Sequence, residues 1–188
     1  SKVGGPYYTW LVKAGDRKKW KSIDLVVNIN IARFLASQKI EVNNLTAYID
    51  SKIVADVFSS TFYKDEIAAL YFLSFFYRGT HLSLIKKKIV FYLKQNLTDA
   101  SLLLLGITIL RFDFSDLLSQ SMISKIFALQ NKNGGVAAFD FYKYNDQISK
   151  KSYYGSQALS TAFLIEFIVL FTKFKQQEQF QNWCLTLQ

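Results

Sequence analysis

The feature that most constrains this chain is that it repeats itself about 130 residues apart. Near the start stand Gly4-Gly5-Pro6-Tyr7-Tyr8-Thr9-Trp10, a basic loop, and an apolar helical stretch opening at Asp24. Near the end stand Gly134-Gly135-Val136-Ala137-Ala138-Phe139-Asp140, another polar loop, and an apolar stretch opening at Tyr154-Gly155-Ser156. Nineteen residues separate Gly5 from Asp24, and nineteen separate Gly135 from Tyr154. Glycine pair, aromatic neighbours, polar loop and long helix in one order are the mark of repeated supersecondary units.

Periodicity then decides what the units are made of. Helices are expected over 23–38, 42–58, 65–77, 80–95, 98–111, 115–130 and 156–174, with a glutamine-rich tail over 175–188 that is a frayed end or a short helix. Ser22, Thr98 and Ser115 are the expected N-caps, because a side-chain oxygen there accepts an orphan N–H of the first turn. Asp24 would sit in the first turn of its helix, where the dipole favours a carboxylate. No strand is expected. A single proline in 188 residues fits long unbroken helices. Short connections make successive helices antiparallel neighbours. The apolar helices that open at Asp24, Thr98 and Ser156 would form an inner layer and the lysine-bearing ones an outer layer. The fold class expected is all-α, a stack of antiparallel helical hairpins forming one domain over 1–188.

Composition narrows the function classes. At 51% hydrophobic and 16% aromatic residues the chain is not disordered, and a chain of this length buries roughly 70% of the surface its unfolded form exposes. Its longest uncharged apolar run, 102–110, is too short to span a bilayer, so no transmembrane segment is expected, although peripheral membrane contact is compatible with the charge. The single cysteine, Cys184, allows no internal disulfide and fits a reducing, cytoplasmic setting. The net charge of +9 concentrates at residues 13–21, at Lys86-Lys87-Lys88 and at Lys150-Lys151. It would either attract phosphates or keep an aromatic-rich protein soluble, and no nucleic-acid motif accompanies it.

The segment Gln130-Asn131-Lys132-Asn133-Gly134-Gly135-Val136 resembles the glutamine–glycine–tryptophan repeat of the squalene and oxidosqualene (terpenoid) cyclases and the protein prenyltransferase β subunits, with Val136 in place of the tryptophan. The run from Tyr153 to Ala162 is similar to the start of an inner helix in that superfamily, and the first unit has the same layout. The resemblance implies an α/α toroid, with inner and outer helices alternating around a central cavity. A first-unit counterpart of Gln130 would fall just before Ser1, and seven helices are too few for a closed ring. The expectation is therefore a partial toroid or a piece of a longer protein.

The catalytic motifs that the resemblance would bring are not in the sequence. Prenyltransferase zinc sits on an aspartate, a cysteine and a histidine, whereas the only histidine here, His81, lies far from Cys184 and reads as a helix-start residue. The protonating Asp-x-Asp-Asp motif of the cyclases has only partial counterparts in Asp113-Phe114-Ser115-Asp116 and Asp140, and Asp113 and Asp116 also read as helix-capping carboxylates. No metal or cofactor site is expected. What remains is an aromatic and polar set, Tyr8, Trp10, Asp24, Asn28, Tyr153 and Tyr154, with Tyr7 beside it. Either these residues line a pocket for an apolar, isoprenoid or peptide ligand, or Asp24 and Asn28 tie the Gly-Gly turn to the helix. The functional expectation is a ligand- or partner-binding module, with an isoprenoid-processing enzyme using Asp24 or Asp113 as the alternative.

Overall fold

A computed structural model describes residues 4–10, 21–144 and 152–185. Among these the chain forms seven α-helices: α1 (Leu25–Ser37), α2 (Asn43–Val54), α3 (Ile67–Leu73), α4 (Leu82–Leu93), α5 (Asp99–Arg111), α6 (Gln120–Phe127) and α7 (Gln157–Leu185). One short antiparallel hairpin, β1 (Tyr142–Tyr144) and β2 (Ser152–Tyr154), precedes α7. The protein is mostly helical, as the periodicity predicts.

The helices pack in two layers. In the first, α1 lies against α3, α3 against α5 and α5 against α7; in the second, α2 packs on α1 and on α4, and α6 packs on α5. The core between them is largely aliphatic, with Ile29, Leu45, Ile49, Ile67, Leu70, Ile85, Ile89, Leu103 and Leu105 all but sealed from solvent, and Phe58 and Phe167 sealed with them. Gly106 lets α5 approach its neighbours closely, since a Cβ there would fall 2.7 Å from Ile126 and 3.0 Å from Phe167. The lysine-bearing helix α4 is in the second layer, and the apolar helices α1, α5 and α7 are in the first. Aromatic-rich α3 joins them there.

First-layer helices all begin at one end of the molecule. The Asp24 carboxylate, which caps α1, accepts hydrogen bonds from Ser60 Oγ and Thr61 N–H, just ahead of α3. Asp65, at the start of α3, accepts 3.0 Å and 2.5 Å bonds from Ile67 N–H and from Ser101 Oγ in the first turn of α5. Tyr63 pairs with Tyr142 in an isolated bridge, and Phe141 beside it packs edge-on against Phe163 in the second turn of α7. The four helices therefore run parallel.

Several local expectations are corrected. Asp24, not Ser22, is the N-cap of α1, its Oδ1 accepting Val27 N–H at 3.1 Å. Thr98 caps α5 as expected, but the 115–130 helix is broken. Asp113 adopts a left-handed φ of 58°, Ser115–Leu117 form a single 3-10 turn, and Ser119 caps α6. Neither Asp113 nor Asp116 is an N-cap; Asp116 pairs instead with Lys86. The tail forms no separate helix, because α7 continues unbroken to Leu185. The β hairpin was not expected at all. Its tyrosine-rich strands follow β propensity, and residues 62–64 flank β1 through Lys143 N–H to Phe62 O and Lys64 N–H to Phe141 O.

Candidate functional site

The six residues singled out in the sequence gather at the end of the molecule where the first-layer helices start, and the two polar ones are fully engaged there. Asn28 is completely buried. Its amide oxygen accepts Tyr7 N–H at 2.7 Å, and its amide nitrogen donates to Tyr7 O at 3.0 Å and Asp24 O at 2.9 Å. Asp24 holds Val27 N–H, Ser60 Oγ and Thr61 N–H, while its own N–H donates to Thr9 Oγ1. The pair thus clamps the Gly4–Trp10 segment and the 60s loop to the start of α1.

The same clamp recurs at α7, in a register of 132 residues rather than 130. Ser156 Oγ accepts Leu159 N–H, as Asp24 accepts that of Val27. Ser160 Oγ donates to Ser156 O and accepts Phe139 N–H, as Asn28 does with Asp24 and Tyr7. Sequence spacing pairs Asp24 and Asn28 with Tyr154 and Ala158; the hydrogen bonds pair them with Ser156 and Ser160. Glycine spacing misleads because two more residues separate Gly135 from Phe139 than Gly5 from Tyr7. Gly155 is held tight in this arrangement, since a Cβ on it would collide with the Phe139 carbonyl.

The aromatic members lie on the same rim at greater exposure. Tyr8 is half-buried, Trp10 is exposed and meets Phe62 edge-on, and the Lys64 ammonium lies 4.8 Å from the Tyr153 ring. Tyr153 and Tyr154 are exposed on β2. Tyr63, packed among Phe72, Phe141 and Tyr142, has its phenol pushed up to about 12 by burial and then by the neighbouring Tyr142 and Asp24.

A second constellation was not found from sequence. Phe75, in the turn after α3, carries the Arg33 guanidinium of α1 at 3.5 Å and the Arg111 guanidinium of α5 at 3.8 Å from its ring centroid. Two groups that close cannot share one face, so the ring is sandwiched between two cations. Arg111 is neutralised from α7: its Nε and Nη2 reach Glu166 Oε1 at 2.8 and 2.7 Å, and Tyr71 Oη donates to Glu166 Oε2 at 2.8 Å. Burial and then the Glu166 carboxylate raise the Tyr71 pKa, so that phenol stays a donor. Arg33 has no carboxylate partner among the described residues. Its planar face is fixed on Phe75, and exposed Phe34 follows it in the chain. The cluster draws on every first-layer helix, with Arg33 from α1, Tyr71 and Phe75 from α3 and the turn after it, Arg111 from α5 and Glu166 from α7, and only its three-dimensional assembly reveals it.

Comparison with protein-family models, with curated proteins and with solved structures returns no match.

The other charged candidates are held in surface pairs. Asp140 bonds Lys64 at 3.0 Å, and Lys88 bridges Asp56 and Glu66 while its ammonium sits near Phe58, Phe91 and Tyr92. His81 is at the N-cap of α4 and makes no capping bond through its side chain. Among the described residues no three His, Cys, Asp or Glu side chains gather around one point. Residues 13–20 of the basic loop, with Lys150 and Lys151, lie outside the described residues, as does the Cys184 side chain. Grooves of about 740 and 360 Å³ open between the α4–α5 connection and α6 and between α1 and α2. Neither is lined by any of the six residues named from sequence. One described helix, over Gln157–Gln179, is long and apolar enough to cross a membrane by length and composition.

Proposed function

We propose that this chain is a binding module, an arc of an α/α toroid similar to that of the terpenoid cyclases and prenyltransferase β subunits, which takes an acidic peptide at the surface of its first layer. The alternation of two helical layers supports the toroid reading. The glutamine motif fits it as well: Gln130 Nε2 donates to Gly134 O, and Gly134 turns the chain at a φ of 85°.

The observation that carries the binding reading is the Arg33–Phe75–Arg111 stack. A guanidinium held flat on an aromatic ring keeps its N–H edge for a carboxylate and loses little freedom on binding. With Arg111 already matched to Glu166, the unmatched cation is Arg33, and Phe34 beside it offers apolar surface to a neighbouring side chain of the ligand. Asp24, the acid that a cyclase-like mechanism would use first, spends its oxygens on capping and clamping. The reading requires no cofactor and a cytoplasmic setting.

A random peptide library panned on the protein tests it. Enriched peptides should carry Asp or Glu next to an aromatic or aliphatic residue, and Arg33→Ala, with helicity unchanged, should weaken them by about tenfold or more. The same peptides binding Arg33→Ala equally well would remove the site. Farnesyl diphosphate retained in native mass spectrometry by the wild type and lost from Asp113→Asn would favour the isoprenoid-processing alternative instead.

A further inference from the structure

Every exposed tryptophan or tyrosine among the described residues stands in one place. Trp10, Tyr142, Tyr153 and Tyr154 all lie on the rim where the first-layer helices start. The clamp there accounts for Tyr7, Asp24 and Asn28 but does not use these rings. The small sheet sorts them by face, because side chains alternate along a strand and cross-strand partners share a face. Lys143 is opposite Tyr153 in the hairpin. The bridge between Tyr63 and Tyr142 sets Phe62 opposite Lys143. Phe62, Lys143 and Tyr153 therefore form one row across three adjacent segments. Lys64 joins that face, its ammonium 4.8 Å from the centre of the Tyr153 ring. Trp10 extends it, edge-on to Phe62 at 5.9 Å. Tyr63 turns the other way, onto Phe72 and Phe141.

Charge says what such a face meets. Lys64 is paired with Asp140, whereas Lys143 has no carboxylate partner among the described residues. Two of the three basic clusters in the sequence, 13–21 and Lys150-Lys151, fall between residues of this rim, Trp10 and Lys21 for one and Tyr144 and Ser152 for the other. With a net charge of +9 on the chain, the complementary partner is a polyanion. Rings interleaved with ammonium groups suit one polyanion above others. Ring faces stack bases, and ammonium groups take the phosphates between them. An anionic bilayer would meet the same charge, but entering it needs side chains that project. Here Phe62 is half-buried and Lys64 lies across Tyr153.

We infer that this face binds single-stranded nucleic acid through stacking and charge, without reading its sequence. Bases stack on Trp10, Phe62 and Tyr153, and phosphates lie along Lys64 and Lys143. None of these five side chains can make the two-pronged pairing that identifies a base edge, which agrees with the lack of a sequence-reading motif in the chain. A duplex hides its base faces and offers the rings nothing, so it engages the lysines alone. The surface shares no residue with the Arg33 site, which lies toward the other end of α1.

Fluorescence anisotropy of a labelled oligothymidylate of about 12 nucleotides, titrated with the full chain over a salt series, reads the binding directly. The strand should bind more tightly than a duplex of equal length, and its affinity should fall as salt rises. Trp10→Ala and Tyr153→Ala remove exposed rings, and circular dichroism checks that helicity is kept. Each should weaken the single strand by about tenfold and leave the duplex unchanged. Lys143→Ala should weaken both and lower the salt slope by about one. Lys87→Ala removes the same charge from an exposed position on α4 and should leave that slope as it is. No binding of the single strand at about 50 mM salt overturns the inference. So does equal affinity for strand and duplex that neither ring substitution alters, which is attraction between polyions alone. Capture by phosphatidylserine vesicles without any single-strand binding overturns it too, and gives the face to a membrane surface.

Discussion

At the start of α1 a buried amide, Asn28, makes three hydrogen bonds to Tyr7 and Asp24, whereas at the start of α7 a hydroxyl, Ser160, makes two to Phe139 and Ser156. The caps differ in the same direction. Asp24 is a buried carboxylate that also holds the 60s loop, and Ser156 is an exposed hydroxyl that holds only its own helix. Each incoming segment is also held by one backbone bond in the same register, Thr9 N–H to Ser22 O at α1 and Phe141 N–H to Tyr154 O at α7, and at α7 Val136 N–H donates in addition to Thr161 Oγ1. One device thus serves two helix starts, with a carboxylate and an amide at α1 and two hydroxyls at α7. A buried acid and amide that look like a catalytic pair are accounted for by this load.

The largest effect should come from Asn28→Ala. It strips a partner from both the N–H and the C=O of Tyr7 in a sealed site, and should cost about 3 kcal/mol, a loss of roughly 10 °C in Tm for a domain of this size. Asn28→Ser, which installs the residue type found at α7, should recover part of that, because one hydroxyl can bond Asp24 O and Tyr7 N–H but not also Tyr7 O. Thermal unfolding followed by circular dichroism checks both. Equal losses for Ala and Ser would show that the two clamps do not share one plan.

Asp24→Ala comes next, at about 2 kcal/mol. Three donors lose their acceptor, but Ser60 Oγ and Thr61 N–H lie in a loop that water can reach once the carboxylate is gone. Hydrogen exchange should show the 60s loop loosened along with the first turn of α1. A loosening confined to α1 would mean that the long-range bonds contribute little.

How much of this was legible in the sequence depends on the distance over which each feature is encoded. The helices of the first layer and the Thr98 cap follow from residues within a few turns of one another, and the pattern shows them; the tie of Asn28 to the preceding segment stayed one of two open readings, because its partner Tyr7 lies 21 residues away. The clamp register does not, because glycines are the conspicuous landmarks and the two loops differ by two residues between glycine and clamp. Phe75 between Arg33 and Arg111 was illegible for a different reason. Its members come from separate helices, and each reads alone as an ordinary arginine or core aromatic. Ser119 was hidden behind Ser115, an equally good cap by residue type, and only the left-handed Asp113 decides between them.

Ser160→Ala should cost about 1.5 kcal/mol, less than either change at α1. It orphans a single half-buried N–H, that of Phe139, and the hairpin still holds the segment two residues further on. A double variant carrying both Asn28→Ala and Ser160→Ala should show additive losses, since the two sites share no partner.

Ser156→Ala should have the smallest effect, about 0.5–1 kcal/mol, the ordinary worth of an exposed N-cap. Its Oγ accepts one bond, from Leu159 N–H at 3.1 Å, at an exposed helix start where water can replace it. This variant separates capping from clamping: Asp24→Ala removes both at once, and Ser156→Ala removes only the cap. If urea unfolding gave the two variants equal losses, the bonds from Asp24 to Ser60 and Thr61 would contribute nothing measurable, and Asp24 would again be an acid whose burial the fold does not explain. A loss at Ser156 well below that at Asp24 leaves the difference to those two bonds, and assigns the carboxylate to holding the first layer together at its starting end.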